Sequence, residues 1–234
     1  MTTNAFIFAR GGSKGLPGKN IKNLCGKPLI QYSIELAKKI EFIENVFVST
    51  DDLDISIIAK KNGAVIIDRP KELAEDDSPE WMSWKHGVEW VQEKYGPFDN
   101  FISLPSTSPL RSEKDVRQAL EKFNSCISDV CLAVTPSSRS PYFNMIEYTK
   151  GGFIKRVSQQ GKDIVRRQDA PLTFDVTTVV YVTTPRFILN HNALFDGKVV
   201  AIEVPKKRAI DIDDIYDFYL AEAIIKEQVR DAKK

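Results

Sequence analysis

The chain has 234 residues, 42% of them hydrophobic, which is enough for one large domain (residues 1–234) with a sizeable core. Its 33 basic and 32 acidic residues leave a formal net charge of +1, which disfavours general binding to nucleic acids or membrane surfaces, and no apolar run approaches the roughly 18 residues of a membrane span. The 3 cysteines form no C-x-x-C motif and the N-terminus lacks a secretory signal, so we expect a cytoplasmic protein without a cysteine-based metal or redox centre.

The first predicted strand, Ala5–Ala9, ends at a basic segment that is rich in glycine. Glycines stand at positions 11, 12, 15 and 18, and cations stand at positions 10, 14 and 19. Glycine lets the backbone turn sharply and approach a ligand closely, so that several N–H groups can point at one anion. The segment therefore predicts a site for the phosphates of a nucleotide; the alternative is an ordinary basic loop between a strand and a helix.

Two better-known phosphate-binding motifs do not fit this segment. A Walker-type loop requires Ser or Thr after its Gly-Lys pair, whereas Asn20 follows Gly18-Lys19 here. A dinucleotide-binding fingerprint requires G-x-G-x-x-G, and these glycines do not have that spacing. The prediction depends instead on the coincidence of glycine, cations and a strand end.

Predicted strands and helices alternate along most of the chain. Apolar runs predict further strands at Val46–Ser49, Val65–Ile67, Phe101–Leu104, Val130–Val134, Val179–Val182 and Val199–Val204. Helical patterns cover Pro28–Ile40, Leu53–Lys61, Pro79–Lys94, Ser112–Phe123 and residues 214–229. This alternation predicts an α/β fold with a mostly parallel central sheet, helices on both faces and ligands at the carboxyl ends of the strands.

The alternation breaks between Pro136 and Asp175. This segment carries several prolines and glycines and only short apolar runs. An irregular excursion of this length is uncommon unless it is functional or packs on a partner. We therefore expect residues 136–175 to form an inserted, hairpin-like arm within the single domain, which would mediate homodimerisation and close the active site as a lid.

A second chemical signal is the alternation of isoleucine and aspartate at 210–213. In an extended chain it puts Ile210 and Ile212 on one face and Asp211 and Asp213 on the other. Mg²⁺ commonly takes one or two carboxylates and completes its shell with substrate phosphate and water. Asp213 and Asp214 also precede the last predicted helix, where acidic residues and caps are favoured, so for Asp213 capping is compatible with metal binding, whereas it does not apply to Asp211. With the glycine segment, this pair predicts a Mg²⁺-dependent transferase that uses a nucleotide.

Six segments, taken in order, resemble the nonulosonate (sialic-acid-type) cytidylyltransferases. They are ARGGSKGLPGKNIKNLCGKPLI at 9–30, VSTDD at 48–52, RPKELAEDDS at 69–78, LPSTSPLR at 104–111, RRQDAP at 166–171 and IDIDD at 210–214. The resemblance spans nearly the whole chain and implies a three-layer, Rossmann-like nucleotidyltransferase fold. It also implies an activity, because these enzymes join CTP and an acidic nine-carbon sugar into a CMP-sugar and release pyrophosphate.

The resemblance implies roles for the residues that match the nucleotide-side motifs. Arg10 and Lys14 would contact the triphosphate and stabilise the leaving pyrophosphate, and Asp211 and Asp213 would bind the metal, so these four residues would be catalytic. The other expected CTP contacts are Gly11, Gly12, Ser13, Lys19, Asn20, Arg69 and Ser78. Arg69 has a plain alternative as a solvated loop cation.

Four residues are expected on the sugar side. Arg167 and Gln168 match an arginine-glutamine pair on the arm of the family, and the guanidinium fork of Arg167 would suit the sugar carboxylate. Thr107 and Ser108 follow a predicted strand end, where a sugar or base would meet them, although they could equally be turn residues.

The sequence departs from the family on the presumed sugar side. Pro105 stands where many relatives have glutamine, and Thr177-Thr178 stands where many have Asn-Gly. The acceptor therefore remains open among sialic, legionaminic, pseudaminic and related nonulosonic acids. Two alternatives to this activity are a nucleotidyltransferase for another NTP or acidic sugar, and a catalytically inactive nucleotide-binding regulatory subunit.

Two basic features outside these motifs have ordinary explanations. Arg111 is expected to pair locally with Glu113 or Asp115, at a helix start that Ser112 and Asp115 mark as a capping box. The basic run at 206–208 is expected to be a solvated turn, with a phosphate contact as the alternative.

Overall fold

The computed structural model describes residues 1–158, 164 and 166–231. Its strands are β1 (Thr3–Phe8), β2 (Asn23–Leu24), β3 (Lys27–Pro28), β4 (Asn45–Thr50), β5 (Val65–Asp68), β6 (Asn100–Ser103), β7 (Val130–Pro136), β8 (Ile146–Tyr148), β9 (Ile154–Arg156), β10 (Phe174–Thr183) and β11 (Val199–Glu203). Its helices are α1 (Leu29–Lys39), α2 (Leu53–Lys61), α3 (Glu80–Tyr95), α4 (Glu113–Ser125), α5 (Pro185–Asn190) and α6 (Ile215–Asp231).

In the described part of the chain, seven strands form one sheet in the order β11-β7-β10-β6-β1-β4-β5. Strand β10 runs antiparallel to both β6 and β7, and the other pairings in this sheet are parallel. The prediction of an α/β fold with a mostly parallel sheet is confirmed. Because the parallel strands β1, β4, β5 and β6 end at the same edge, the loops that follow them lie close together.

The alternation of side chains along β1 separates two apolar layers. Ala5 and Ile7 point into one cluster, which packs under α1, α2 and α4. Phe6 points into the other, where its ring stacks on Phe47 and Phe101 at centroid distances of 5.3 and 4.4 Å. This second layer lies under α3 and α5. The sheet is therefore buried on both faces, as its near-continuous apolar strands require.

Local capping signals account for several helix starts. The Asp52 side chain accepts a 2.9 Å hydrogen bond from Ile55 N at the start of α2, whose bounds coincide with the predicted ones. The Ser112–Asp115 capping box of α4 is confirmed. Helix α5 was not predicted, although Thr184 before Pro185 is a recognisable start signal. Among the described residues, no helix has the length and apolar character needed to cross a membrane.

The segment between β7 and β10 leaves the sheet. It contains the antiparallel hairpin of β8 and β9, in which Glu147 faces Lys155. Large apolar side chains of this segment are exposed, including Tyr148, Phe153 and Leu172 at 78%, 79% and 88%. Residues 159–163 and 165 of the predicted arm lie outside the described residues. The role of the arm in dimerisation and closure stays a prediction.

Candidate active site

A cavity of about 600 Å³ opens at the carboxyl edge of the parallel strands. Its walls come from the segments that follow β1, β5 and β6, from the middle of β10 and from the segment before α6. This is the position at which ligands bind in open α/β sheets, and the volume suits a small-molecule ligand.

Most of the residues expected in the site do line this cavity. They are Arg10, Ser13, Lys14, Lys19, Asn20, Arg69, Ser78, Thr107, Asp211 and Asp213. Among the described residues expected there, five lie outside the lining: Gly11, Gly12, Ser108, Arg167 and Gln168. Gly11 borders a small adjoining cavity, and its N–H donates to Asp51 Oδ1 at 3.1 Å.

The glycine segment and the acidic segment, distant in sequence, touch each other. The ammonium group of Lys19 donates to Ile212 O at 2.9 Å and to Asp213 Oδ1 at 3.1 Å. The backbone of Gly15 packs so tightly on Asp213 that a Cβ at Gly15 would lie 2.3 Å from the Asp213 carbonyl oxygen. The glycine segment and the segment that carries Asp211 and Asp213 are therefore in direct contact.

Substitution of Gly15 by alanine tests this contact. We expect Gly15→Ala to lower the melting temperature, because overpacking costs roughly 1–3 kcal/mol and each kcal/mol shifts Tm by about 2–4 °C in a chain of this size. Gly12→Ala is the matched control, since a Cβ there meets no atom of the described residues within 4 Å. Equal melting temperatures for the two variants would contradict the close approach of the segments.

Two cations of the glycine segment converge on one carboxylate. Arg10 and Lys14 each form an ion pair with Asp76, at 2.9 and 2.6 Å. The hydrogen bond from Lys14, with a smaller contribution from Arg10, lowers the pKa of Asp76. Arg10 also donates to the backbone oxygens of Ala74 and Glu75, at 3.3 and 3.1 Å. The two cations are thus held close enough together for a single anionic group to bridge them.

Arg69 is buried, so its interpretation as a solvated loop cation is wrong. The residue is 8% exposed, and its guanidinium donates to Ser49 Oγ at 3.1 Å and Ser49 O at 2.8 Å. Its guanidinium carbon lies 5.7 Å from the ring centre of Phe8. Burial lowers the pKa of Arg69 to about 10. Among its described contacts none is an ion pair, so a ligand in the cavity would meet a positive charge that no carboxylate contacts directly.

Asn20 ties two strand-end segments together. Its Nδ2 donates to Arg10 O at 3.0 Å, and its Oδ1 accepts a 2.6 Å hydrogen bond from Ser106 Oγ. Both Asn20 and Ser106 are buried. The side chain of Asn20 therefore positions the start of the glycine segment against the segment after β6. Sequence reasoning did not select Ser106, although it lies beside the selected Thr107 in the motif LPSTSPLR.

The aspartates of the alternating segment occupy different environments. Asp211 is half-buried, and its Oδ1 is buried without a hydrogen-bond partner among the described residues. Burial raises the pKa of Asp211, and the nearby hydroxyls of Thr107 and Thr178 partly offset that rise. The side chain of Asp213 is 76% exposed. Ile212 between them is buried, so the alternation places both carboxylates towards the cavity.

Helix capping at α6 belongs to a neighbouring residue. Asp214 Oδ1 accepts from Tyr216 N at 2.7 Å and from Asp217 N at 3.1 Å. The carboxylate of Asp213 contacts Lys19 instead. Of the two residues expected to cap the helix, Asp214 does so and Asp213 does not, and both aspartates of the pair face the cavity.

The donor set fits a magnesium ion that is shared with a substrate. Among the described residues, no group of three His, Cys, Asp or Glu side chains could hold a metal alone. The unpartnered Oδ1 of Asp211 and the exposed carboxylate of Asp213 provide two hard oxygen donors at one cavity wall. Mg²⁺ accepts such an incomplete protein shell when substrate phosphates and water supply the remaining ligands.

Arg111 does not pair with Glu113 or Asp115, so that prediction is wrong. Its buried guanidinium donates to Ser33 Oγ at 2.6 Å, to Thr178 O at 3.2 Å and to Pro105 O. Burial lowers the pKa of Arg111 to about 9.

Arg208 takes the carboxylate that was expected to pair with Arg111. Two bonds of 2.9 Å join its guanidinium to Asp115, so the basic run at 206–208 is anchored on α4 rather than fully solvated.

The bonds of Arg111 fix a bulge in β10. Thr177 pairs with Ala133 and Tyr181 with Leu132, so residues 178–180 bulge out of register. Bulges commonly re-aim side chains beside active sites, and this one brings Thr178 into the cavity wall. Ser108 lies behind it, fully buried, with its Oγ 2.7 Å from Thr178 Oγ1.

Replacement of Arg111 should destabilise the protein through this bulge. We expect Arg111→Met to lower the free energy of unfolding by several kcal/mol. The carbonyl oxygens of Pro105 and Thr178 would lose their hydrogen-bond donor, and each buried acceptor left without one costs about 1–3 kcal/mol. Arg111→Lys keeps the charge without the planar fork and should lie between Met and wild type. Urea unfolding measures both, with Arg117→Met as a control at a half-buried arginine outside the cavity lining. A loss of unfolding free energy for Arg111→Met no larger than that of the control would contradict this role of Arg111 at the bulge.

The arm residues expected at the sugar do not line the cavity of their own chain. Arg167 and Gln168 belong to an exposed 3-10 turn, and Arg167 Nη2 donates to Ser138 O at 2.8 Å. Their contact with a sugar stays a prediction.

Sequence reasoning missed Glu80 and Tyr181, which line the cavity. Glu80 opens α3 and carried no motif signal, and Tyr181 lies in a strand that reads as buried.

Comparisons with known proteins show which family the chain resembles over most of its length. A family model described as cytidylyltransferase matches residues 5–196. The chain is 33% identical over 229 residues to the post-translational flagellin modification protein B of Campylobacter coli, covering 97% of this chain and 96% of that protein. It is 30% identical over 221 residues to the CMP-N,N'-diacetyllegionaminic acid synthase of Campylobacter jejuni, covering 94% and 93% of the two chains. It is also 30% identical to a pseudaminic acid cytidylyltransferase of that species over 231 residues, 97% of each chain.

Solved structures show the same fold at low sequence identity. A CMP:2-keto-3-deoxy-manno-octonic acid synthetase complexed with CTP superposes with a TM-score of 0.73 at 17% identity, covering 97% of this chain and 100% of the other. A 4-diphosphocytidyl-2C-methyl-D-erythritol synthase from Anaerococcus prevotii gives a TM-score of 0.64 at 12% identity, covering 96% and 99%. The expected nucleotidyltransferase fold is thereby confirmed.

Proposed function

Because this chain belongs to the cytidylyltransferase family, we propose that it transfers CMP from CTP to the anomeric hydroxyl of a nonulosonic acid and releases pyrophosphate. The observation that carries the proposal is the contact of the glycine segment with the Asp211–Asp213 segment at one cavity wall. A nucleotidyl transfer needs both segments at one place, since it forms an oxygen–phosphorus bond at the α-phosphate and breaks the bond to the β-phosphate. Such transfers depend mainly on positioning and on charge stabilisation.

The cavity wall that carries Arg10, Lys14 and Lys19 would bind the leaving group. Arg10 and Lys14 converge on one anionic position, and Lys19 joins the glycine segment to the acidic pair through Asp213. As the bond to the β-phosphate breaks, negative charge develops on pyrophosphate, and preorganised cations stabilise that charge without reorganising. Arg10 and Lys14 would exchange their ion pairs with Asp76 for contacts with the phosphates when CTP enters.

The acidic wall would hold Mg²⁺ through Asp211 and Asp213. When bound there, the ion would offset charge on the α-phosphate and lower the pKa of the attacking hydroxyl. Lys19 limits the repulsion between the carboxylates and the phosphates because its ammonium bonds Asp213 directly. Thr107 and Thr178 line the same cavity as Asp211, and their hydroxyls partly offset the rise in its pKa.

The acceptor is a nonulosonic acid, and the turnover assay below identifies which one. Relatives named for legionaminic and pseudaminic acid are similarly distant from this chain, at 30% identity each. Pro105 and Thr178, where the sequence departs from many relatives, both line the cavity and are held by Arg111. These positions would shape the pocket for the particular sugar.

A turnover assay tests the function. The purified protein is incubated with CTP, Mg²⁺ and a panel of nonulosonic acids, and pyrophosphate release is followed. We expect turnover with one acid of the panel and loss of turnover when EDTA removes the metal. CTP binding without turnover on any member would favour the inactive regulatory subunit, and preference for another NTP would favour a different nucleotidyltransferase.

We propose that the arm mediates a homodimer in the cytoplasm. Exposed Tyr148, Phe153 and Leu172 would be buried by a second copy, and exposed Arg167 and Gln168 could then reach the cavity of the partner. Sedimentation equilibrium at micromolar concentration should give twice the mass of 26.5 kDa. A monomer at all concentrations would leave the arm as a lid or a site for another partner.

A further inference from the structure

One carboxylate of the chain occupies the position that the proposed function assigns to phosphate. Asp76 uses both of its oxygens there: Oδ1 lies 2.9 Å from Arg10 Nη1, and Oδ2 lies 2.6 Å from Lys14 Nζ. A phosphoryl group bridges two cations in the same way, with one oxygen on each. All three side chains line the cavity. The protein without a ligand therefore has an anion of its own where a triphosphate would pair with these cations.

The two ion pairs of Asp76 join separate segments and are open to solvent. Arg10 and Lys14 follow β1, whereas Asp76 belongs to the segment that follows β5. The side chains of Asp76 and Lys14 are 47% and 74% exposed. Ion pairs in such positions are weak. An anion that carries more charge than one carboxylate, such as a triphosphate or pyrophosphate, can therefore displace Asp76 from both cations.

The position of Arg10 does not depend on the Asp76 carboxylate alone. Arg10 Nη1 also donates to Ala74 O at 3.3 Å and to Glu75 O at 3.1 Å. Both acceptors are backbone oxygens, which a change of the Asp76 side chain leaves in place. Removal of the carboxylate would therefore free the two cations for a ligand while the guanidinium of Arg10 stays oriented.

We propose that Asp76 competes with the triphosphate and with pyrophosphate for Arg10 and Lys14, so that it weakens the binding of both and returns to the cations as pyrophosphate leaves. The inference rests on the proposed function, which places the β- and γ-phosphates at these cations. A carboxylate tethered within the same chain competes at an effective concentration on the order of millimolar, even though each ion pair is weak. In the reaction cycle this competition favours release of pyrophosphate, the product that would otherwise hold both cations.

Affinity for inorganic pyrophosphate and for CTP, measured by isothermal titration with Mg²⁺ and without the sugar, tests this assignment. Asp76→Asn keeps the shape of the side chain and removes its charge. We expect it to lower the Kd of both ligands by about 2- to 30-fold, because two exposed ion pairs no longer compete with the ligand. Asp77→Asn is the matched control and should keep the wild-type values, since Asp77 is an exposed neighbour outside the cavity lining and loses the same charge. CMP lacks the β- and γ-phosphates and should bind Asp76→Asn and wild type equally.

A double-mutant cycle with Lys14→Met separates competition for the cations from general repulsion of anions. The gain in affinity from Asp76→Asn should shrink in the Lys14→Met background, because one of the two competing ion pairs is already absent. An equal gain in that background, or an equal gain for CMP, would indicate general repulsion and would overturn the assignment. An unchanged or higher Kd of pyrophosphate in a folded Asp76→Asn would also overturn it, the higher value by showing that the carboxylate assists the ligand. Absence of both CTP and pyrophosphate binding to wild type would instead refute the proposed function.

Discussion

Replacing Asp211 with asparagine is expected to reduce turnover by about 10²-fold or more, the size of effect seen when a main charge-stabilising group is removed. Its Oδ1 is buried without a hydrogen-bond partner in the described part of the chain, so the geometry reserves that oxygen for a ligand. An amide of the same shape keeps the packing of the segment but removes the negative charge that a divalent cation requires.

The stability of the Asp211 variant separates a catalytic loss from unfolding. Burial, and then the like charge of Asp213, raise the pKa of Asp211. For an acid whose folded pKa exceeds its unfolded value, the contribution to stability is present below the unfolded pKa and is lost as pH rises through the folded pKa. At neutral pH the ionised group therefore destabilises the fold, and Asp211→Asn should melt at the same temperature as wild type or higher.

The measurements are steady-state pyrophosphate release across a Mg²⁺ titration, differential scanning fluorimetry, and Mn²⁺ binding in the presence of CTP by electron paramagnetic resonance. Asp54→Asn, at an exposed position in the first turn of α2, is the control and should match wild type in all three. Near-normal turnover of Asp211→Asn at limiting Mg²⁺ would remove the metal assignment. A loss of turnover with unchanged Mn²⁺ affinity would assign Asp211 another part in the transfer.

Arg10→Ala should lower kcat/KM for CTP by on the order of 10²-fold while leaving the KM of the sugar near its wild-type value. The guanidinium is held by Asp76 and by two backbone oxygens, so it is in place before a triphosphate arrives. Lys14→Ala should have a smaller effect, because that side chain is 74% exposed and its charge is better screened by solvent.

Initial rates with either substrate varied provide the test, with Arg117→Ala as the matched control. Arg117 is a half-buried arginine on α4 that pairs with Glu41 outside the cavity lining, so its removal should change neither parameter. A rise in the KM of the sugar with unaltered use of CTP would place Arg10 at the acceptor instead of the leaving group.

Periodicity and local chemistry were sufficient for much of the fold. The bounds predicted for α2 coincide with those observed, and the capping box of α4 formed as its two residues indicate. These features depend on residues a few positions apart. The antiparallel direction of β10 was not predicted, since strand direction is decided by where the chain re-enters the sheet.

In the candidate site, too, local sequence patterns predicted some features, and contacts between distant segments decided the others. Glycine and cations after β1 predicted a phosphate-type segment, and ten of the residues expected in the site do line one cavity. The partners of Arg111 and the burial of Arg69 were predicted wrongly or left open, because both side chains bond backbone atoms of other strands. Glu80 gave no signal, since its position depends on the packing of Trp84.

The sequence alone determined the α/β class, the two chemically active segments and the family resemblance, because short-range patterns and motif residues record them directly. The tertiary structure decided which groups meet: Gly15 against Asp213, Arg10 and Lys14 against Asp76, and Arg69 against Ser49. Contacts between distant segments depend on strand order and on close packing, and neither can be read from a local pattern.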